Sequence, residues 1–243
     1  VSGSDMKSSS ITKELEKEGI KVSCPQEAKN ISEDLDLVIY SAAVTDENPE
    51  LIEARLKQIR TLSRKEALPI ILGDKKNYCV ADAHGKSTTT AILATSLQSS
   101  ALIVASSKEF GSNFRYVDNT VAFEADESDA SLLLSNPYCA IVTNAEPEHM
   151  EYYHYDYDKF YESYETFLSL AKKRVVNGED KDIQKLKIED ATYLYPSKDI
   201  KNLCYTLKDG QPCTKFDLKD YGTFEVWGFG FHIASNASLA IMA

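Results

Sequence analysis

The 243-residue sequence lacks an apolar run long enough to cross a membrane. Its uninterrupted apolar runs are short, such as residues 101–105 and 138–142, whereas a membrane helix needs about 20 apolar residues. An excess of basic residues is also lacking, because 27 Lys and Arg stand against 38 Asp and Glu, giving a net charge of −11. Such a charge disfavours a broad surface that neutralises nucleic-acid phosphates. We therefore expect neither a membrane nor a nucleic acid as a partner.

Paired cysteines are lacking as well. The five cysteines, Cys24, Cys79, Cys139, Cys204 and Cys213, are widely spaced and include no C-x-x-C pair. An odd number at such spacings argues against a disulfide framework and against a zinc ribbon. Because free cysteines are typical of a reducing compartment, and the N-terminal residues show no signal-peptide pattern, we expect a cytoplasmic protein.

What the sequence does contain is an alternation of strand and helix patterns. Apolar residues make up 43% and charged residues 27% of the chain, which is typical of a globular protein. A helix is predicted over residues 11–19 and a strand over 36–41, and the next helix begins with Asn48 as its N-cap and Pro49 at its first position. This alternation predicts a parallel sheet of the dinucleotide-binding α/β type.

A second α/β unit is predicted after a linker at residues 63–76. Its strands and helices again alternate, which favours another parallel sheet. Strands are predicted at residues 77–81, 102–105, 120–124, 139–143 and 174–177, helices at 88–98 and 158–171, and several short strands within 191–226.

The most informative motif is the glycine-containing turn between the strand at 77–81 and the helix that follows it. It reads His84-Gly85-Lys86-Ser87. Such a turn directs backbone N–H groups and the helix dipole at a phosphate, with the lysine as a point charge and the serine hydroxyl as a magnesium ligand. Val80 occupies the first glycine position of a Walker A loop, so this is a shorter variant. The alternative is an ordinary polar helix start.

The second motif is acidic and follows the strand at 120–124. Residues 123–129 read F-E-A-D-E-S-D, with four carboxylates. Alternate residues of a strand share a face, so Glu124 and Asp126 are expected to project together at the edge where α/β sheets bind ligands. Carboxylate oxygens there suit magnesium. The alternative, a solvated acidic turn, is the commoner meaning of such a segment by itself.

Two further segments carry polar side chains at the ends of predicted elements. Residues 143–149 follow a strand and end at His149, although a lone histidine is more often a surface or packing residue. The tyrosines over residues 152–164 could pack a helix or line a cleft for a sugar or uridine. Near the C-terminus, His232 and Asn236 share one helix face, and the asparagine amide could pair with adenine. A plain polar helix start is the alternative.

Taken in order, these motifs resemble those of the Mur ligase family of cell-wall peptide synthesis. The family carries a G-T-H-G-K-[TS]-T-T loop, an E-A-D-E-S-D strand end, a T-N-I-E-x-D-H segment and a G-x-H-N-x-x-N-A helix start. Here these correspond to residues 82–89, 124–129, 143–149 and 230–237. In the N-terminal third, Gly3-Ser4-Asp5 and residues 40–43 and 48–50 add matches. The first two of these segments favour the alanine-adding branch, although the branch that recycles murein tripeptide shares most of the motifs.

The resemblance implies an incomplete Rossmann-like parallel-sheet domain for a UDP-sugar at residues 1–66, lacking its first strand. A P-loop-type α/β ATPase domain follows at 67–243, and the family's C-terminal amino-acid-binding domain is expected to be absent from this chain. In the implied activity, ATP phosphorylates the lactyl carboxylate of UDP-N-acetylmuramate, and Mg²⁺ neutralises the charge of the transferring phosphoryl group. The amine of L-alanine then attacks the acyl phosphate, in a pathway that supports cell shape and division. The alternatives are tripeptide recycling and a nucleotide-binding module with a degenerate loop.

The resemblance also assigns roles to single residues. Lys86 contacts the phosphates, Ser87 and Glu124 hold one magnesium ion, and Glu124 with His149 holds a second. Asn144 lies beside the phosphates. The nucleotide-binding residues are then His84, Gly85, Lys86, Ser87, Thr88, Asn144, His232 and Asn236, and the catalytic residues are Lys86, Glu124 and His149.

The sequence departs from the family pattern in the segment that matches the family's G-T-H-G-K-[TS]-T-T loop, here called the phosphate loop (residues 82–89), and in the last helix. Asp82 replaces a glycine and Ala83 a threonine, Pro147-Glu148 replaces the usual residues before the histidine, and Ile233 replaces the asparagine that follows His232. A carboxylate beside a phosphate-binding loop repels phosphate unless it faces away or meets magnesium. The expectation is therefore that Asp82→Gly tightens ATP binding.

Overall fold

A computed structural model of the chain describes residues 1–107, 111–117 and 119–243. By their internal contacts, residues 1–68 and 69–243 form two separate units. None of the helices in the described parts of the chain has the length and the hydropathy of a membrane span.

The first unit contains short parallel strand pairs and helices. The strand β1 (Ser2–Ser4) pairs with β2 (Lys21–Ser23), and β3 (Leu37–Tyr40) pairs with β4 (Arg60–Ser63), in parallel register in both cases. Asn48 begins the second helix as predicted, since its Oδ1 accepts the Glu50 and Leu51 N–H groups at 2.9 and 3.3 Å. The elements are β1 (Ser2–Ser4), α1 (Ser10–Lys17), β2 (Lys21–Ser23), β3 (Leu37–Tyr40), α2 (Pro49–Leu56), β4 (Arg60–Ser63) and α3 (Arg64–Leu72).

The boundary between the two units falls within the predicted linker at residues 63–76, but the helix α3 occupies most of that segment and spans the boundary. Ser63 and Glu66 form a capping box, in which the Glu66 carboxylate accepts the Ser63 N–H at 2.8 Å and the Ser63 hydroxyl accepts the Glu66 N–H at 3.2 Å. The hydrogen bond from the Ser63 N–H lowers the pKa of the Glu66 carboxyl. Leu68 and Leu72 are buried, so packing outweighs the penalty of Pro69 inside the helix.

The second unit is built on a mainly parallel sheet. The elements of this sheet and its helices are β5 (Lys76–Ala81), α4 (Lys86–Leu97), β6 (Ser100–Ser107), β7 (Ser112–Arg115), β8 (Thr120–Glu124), β9 (Cys139–Val142), α5 (Tyr157–Leu170), β10 (Lys173–Asn177) and β11 (Thr192–Leu194). The strands lie in the order β11-β10-β9-β5-β8-β6-β7, and among the described strands of this sheet only β6 and β7 pair antiparallel.

An antiparallel sheet and a final helix complete this unit. Asp209 and Gly210 form a two-residue turn with positive φ at both positions, which joins the first two of these strands as the Asp-Gly pattern predicts. The elements are α6 (Pro196–Asp199), β12 (Ile200–Lys208), β13 (Gln211–Leu218), β14 (Gly222–Trp227) and α7 (Phe231–Met242). The predicted strands and helices of the second unit are confirmed, with α4 beginning two residues before its predicted start.

The core of the second unit joins residues of the parallel sheet to residues of the helices and of the antiparallel sheet. Apolar residues of α4, the central strands, β13 and α7 form one buried cluster. Phe160, Tyr164 and Phe167 of α5 are fully buried, at the spacing expected for one helix face. The tyrosine-rich segment is therefore partly a packing element, although Tyr155 and Tyr157 remain exposed.

Candidate functional site

Four neighbouring strands of the second unit bring their carboxyl ends to one edge of the sheet. The strand β5 lies between β9 and β8, and β10 lies next to β9, all parallel. The residues that follow β5, β8 and β9 are the phosphate-loop, acidic and 143–149 motifs. In open α/β sheets this edge is where ligands bind. The fold thus collects three of the four predicted motifs in one place.

The phosphate loop turns directly into α4 at Gly85. This residue is the N-cap and has φ of +120°, a conformation that L side chains rarely adopt. A Cβ placed there would lie 2.8 Å from Nδ2 of Asn236 and 3.2 Å from Oδ2 of Asp82. Gly85 is therefore required both by its backbone conformation and by close packing. The same contact places Asn236, from the start of α7, against the loop.

Lys86 is held at the base of the loop by a buried carboxylate. Its Nζ lies 2.6 Å from Oε2 of Glu127, and the two side chains are 14% and 1% exposed. Nζ also donates to the carbonyl oxygen of Asp82. Burial raises the pKa of Glu127, and the neighbouring Lys86 charge opposes that effect. Glu127 is not among the predicted site residues, although it belongs to the acidic motif.

Ser87 and Glu124 form a pair of hard oxygen ligands beside the loop. The Ser87 hydroxyl lies 3.0 and 3.1 Å from the two carboxylate oxygens of Glu124. The backbone N–H of Val104 donates to Oε2 of Glu124 at 2.8 Å and fixes the carboxylate. A hydroxyl and a carboxylate at the phosphate end of a loop suit Mg²⁺, which binds through one or two carboxylates and substrate phosphates. The residues present therefore fit a magnesium ion.

His149 lies at the end of the 143–149 motif and is not part of the Ser87–Glu124 pair. It is exposed and has φ of +51°. Within the described residues, no hydrogen bond or ion pair joins it to Ser87 or Glu124, and no group of three or more His, Cys, Asp and Glu residues could hold a metal. Its role as a ligand of a second magnesium ion stays a prediction. Asp126, expected to project with Glu124, instead accepts the Ser128 N–H at 2.9 Å.

Asn144 fastens the phosphate loop to the end of β9. Its Oδ1 accepts the Ala83 N–H at 3.0 Å, and its Nδ2 donates to the His84 carbonyl at 2.8 Å. The His84 imidazole is exposed and lies with Nε2 3.2 Å from the Glu148 carboxylate. Asn144 therefore shapes the loop from beside it.

Asp82 lies beneath the loop and is fully buried. Its Oδ1 accepts the backbone N–H of Lys86 at 2.8 Å, and its Oδ2 accepts the hydroxyl of Thr143. Burial raises the pKa of Asp82 to about 6, against the opposing effects of Thr143 and Lys86. The residue that departs from the family pattern is thus the acceptor at the N-terminus of α4.

A cleft of about 560 Å³ opens between the phosphate loop and the start of α7. Phe231, a residue that is 45% exposed, offers an aromatic surface in this cleft and is not among the predicted site residues. His232 is exposed and Asn236 is buried. The lining residues are His84, Gly85, Thr88, Thr143, Asn144, Asn177, Glu179, Pro196, Phe231, His232, Ser235 and Asn236. The fourth predicted motif therefore meets the first across one cleft.

A glycine turn from a central parallel strand into a helix, with a lysine and a serine at the helix start, defines a P-loop-type α/β protein. Residues 1–76 match the Mur ligase family, catalytic domain. UDP-N-acetylmuramate–L-alanine ligases from Campylobacter curvus and Helicobacter pylori are 54% and 47% identical to this chain over its full length. The crystal structure of a UDP-N-acetylmuramate–alanine ligase from Thermotoga maritima matches all of this chain and 58% of its own, with a TM-score of 0.81 and 26% identity. The chain belongs to the Mur ligase family.

The chain spans about half the length of the curated relatives it matches, 56% of the Campylobacter protein and 54% of the Helicobacter protein. Mur ligases are ATP-dependent and generally use Mg²⁺.

The packing at Gly85 leads to a direct prediction. Gly85→Ala is expected to lower the free energy of unfolding by about 1–3 kcal/mol, because alanine is strained at this φ, and to weaken nucleotide binding because the loop must shift. Urea unfolding and titration with ADP measure the two effects. Gly210→Ala is the matched control, since Gly210 also has a positive φ but its Cβ would meet nothing within 4 Å. Equal nucleotide binding by both variants would contradict the prediction.

Proposed function

We propose that this chain supplies the UDP-sugar-binding and ATP-binding parts of a ligase that joins L-alanine to UDP-N-acetylmuramate in the cytoplasm. The observation that carries the proposal is the Ser87–Glu124 pair beside the Gly85–Lys86 turn, which offers a phosphate and its magnesium ion matching ligands. The identity to ligases of that name supports the choice of substrates. The proposed domains are residues 1–66 and 67–243.

In the ATP-binding part, the proposed roles follow from what each group can do chemically. Lys86 would place its ammonium on the phosphates after exchanging its bond to Glu127, and the N-terminus of α4 would add backbone donors. Ser87 and Glu124 would hold Mg²⁺, which supplies charge neutralisation for the phosphoryl group that ATP provides. His149 would complete a second metal site from its loop.

The cleft beside α7 is the proposed place of the adenosine. Asn236 would donate and accept hydrogen bonds through its amide, and His232 lies one helical turn before it on the same face. Phe231 adds a ring on which a base can stack. Asn144, which fixes the loop, would hold its backbone in the conformation that receives the phosphates.

In the first unit, a cleft of about 590 Å³ at the ends of β1 and β3 is the proposed UDP-sugar site. Its wall is polar and cross-linked, since Glu50 accepts hydrogen bonds from Ser4 and, at 2.7 Å, from Asn30. Gln26 accepts from Asn48 at 2.8 Å in the same cleft. Hydroxyl, amide and carboxylate groups in fixed positions are suited to a sugar and a uracil ring.

The function is tested by measuring the phosphate that the full-length gene product releases from ATP. ATP, Mg²⁺, UDP-N-acetylmuramate and L-alanine together are expected to release phosphate, measured with malachite green, and omission of either acceptor or metal is expected to stop the release. Release with the murein tripeptide in place of L-alanine would identify the recycling ligase instead. ATP binding without phosphate release under any of these conditions would favour a nucleotide-binding module without catalysis.

A further inference from the structure

The N-terminus of α4 already has an anionic acceptor from within the chain. Oδ1 of Asp82 accepts the Lys86 N–H at 2.8 Å, and Oδ2 lies 3.2 Å from the position that a Cβ of Gly85 would take. The carboxylate therefore occupies the inner side of the turn. Backbone N–H groups at a helix N-terminus are the donors that a phosphate needs.

Every element packed against Asp82 contributes a group that faces it. The nearest cation is Lys86 of α4, and the second buried carboxylate, Glu127, shares that cation from the segment after β8. Thr143 donates its hydroxyl from the end of β9. In α5, burial raises the pKa of the Tyr164 hydroxyl, and the nearby charges of Glu127 and Asp82 raise it further. One ammonium thus balances two buried carboxylates even before a phosphate arrives.

Asp82 is a member of this group whose charge can change near pH 6. Burial is the main cause that raises its pKa to about 6, and proximity to Glu127 acts in the same direction. A phosphate placed above the loop would raise this pKa further, since a like charge disfavours the ionised form. The neutral carboxyl no longer repels phosphate.

We propose that Asp82 is an internal anion that competes with nucleotide phosphate at the N-terminus of α4, and that nucleotide binding is coupled to uptake of one proton by Asp82. The proposal rests on the function proposed above, because it assumes that nucleotide phosphate binds at this loop. The proton comes from solvent and neutralises the carboxylate, so no other group changes its covalent state.

The direction of the pH effect follows from this coupling. Below about pH 6 Asp82 is protonated before and after binding, so the ADP dissociation constant is flat with respect to this group. Above that pH the free protein carries the ionised carboxylate and the complex keeps the proton. The dissociation constant then rises with pH, by at most about tenfold per pH unit for one proton.

The test is titration calorimetry of the full-length protein with Mg·ADP from pH 5.5 to 8.5. Asp82→Asn keeps the shape and the acceptor for the Lys86 N–H but removes the charge, and Asp82→Gly removes the side chain. Both variants are expected to bind ADP about tenfold or more tightly than the original protein at pH 8, and to approach it at pH 5.5. Two buffers of different ionisation enthalpy report the proton taken up, which the variants should no longer take up.

Asp220→Asn is the matched control. Asp220 is exposed in the turn between β13 and β14, so this substitution removes the same charge at a position far from the phosphate loop in sequence. Any pH dependence that comes from the histidines or from ADP itself is shared by the original protein and its variants. The difference in pH profile between the original protein and Asp82→Asn therefore reports on Asp82 alone. Equal affinities and equal pH profiles for the original protein and both Asp82 variants would overturn the competition while leaving the proposed function intact. Absence of ADP binding in every protein would overturn both.

Discussion

Replacing Lys86 by methionine is expected to reduce kcat/KM for ATP-dependent phosphate release by on the order of 10²–10³-fold. Methionine keeps much of the aliphatic length and removes the ammonium that would meet the phosphates. The loss of one preorganised donor at a site of developing charge has this size. The malachite-green assay with the full set of substrates measures it.

The single variant has a structural side effect that must be separated from the functional one. Glu127 is 1% exposed and lies 2.6 Å from Nζ of Lys86. Removing one partner of a buried ion pair costs about 3–5 kcal/mol, because the other charge stays buried and unpaired. Lys86→Met alone is therefore expected to unfold at a lower urea concentration as well as to lose activity.

The double variant Lys86→Met, Glu127→Gln separates these effects. It removes the ammonium and one of the two buried carboxylates that the ammonium balances, so its stability is expected to recover part of the loss, while its activity stays as low as that of Lys86→Met. Glu127→Gln alone keeps the ammonium and is expected to retain most of the activity. If the double variant regained activity together with stability, the role of Lys86 would be to neutralise Glu127, and the phosphate assignment would be wrong.

The local signals in the sequence are strong where a side chain acts on its immediate neighbours. The Gly85 turn, the N-cap at Asn48 and the Asp209–Gly210 hairpin follow from local rules, and the structure has all three. The parallel sheet also follows from the alternation of strands and helices. The helix α3 is not among the predicted helices, although its S-x-x-E capping box is also a local signal.

Contacts between distant segments could not be predicted in the same way. Glu127 reaches Lys86 across 41 residues and Thr143 reaches Asp82 across 61, so neither pair has a sequence signature. The sequence suggests that the Asp82 charge disfavours phosphate, but it cannot tell that the carboxylate caps α4. Asp126 was expected beside Glu124 by strand alternation, but the chain leaves the strand after Glu124 and the alternation ends there.

Glu124→Gln is expected to reduce Mg²⁺-dependent phosphate release by about 10²-fold or more, with a higher Mg²⁺ concentration needed for half-maximal rate. Glu124 is buried, and its carboxylate is fixed by the Ser87 hydroxyl and the Val104 N–H, so it is preorganised for a cation. Glutamine keeps the size and one carbonyl acceptor but removes the charge. The substitution removes a buried carboxylate that forms no ion pair within the described residues. The metal-free protein should therefore be as stable as before, or more stable.

Two variants calibrate this result. Ser87→Ala removes a neutral ligand and keeps the carboxylate, so its Mg²⁺ requirement should rise less than that of Glu124→Gln. Asp126→Asn changes an acid of the same motif whose carboxylate accepts the Ser128 N–H, and it should leave the Mg²⁺ dependence close to that of the original protein. A Mg²⁺ titration of Glu124→Gln that matched the Asp126→Asn curve would remove Glu124 from the metal site. A large defect in Asp126→Asn alone would assign the magnesium ion to Asp126 instead of Glu124. The carboxylate that binds the metal must share a face with the phosphate loop, because only there can one metal ion contact both the carboxylate and the phosphate.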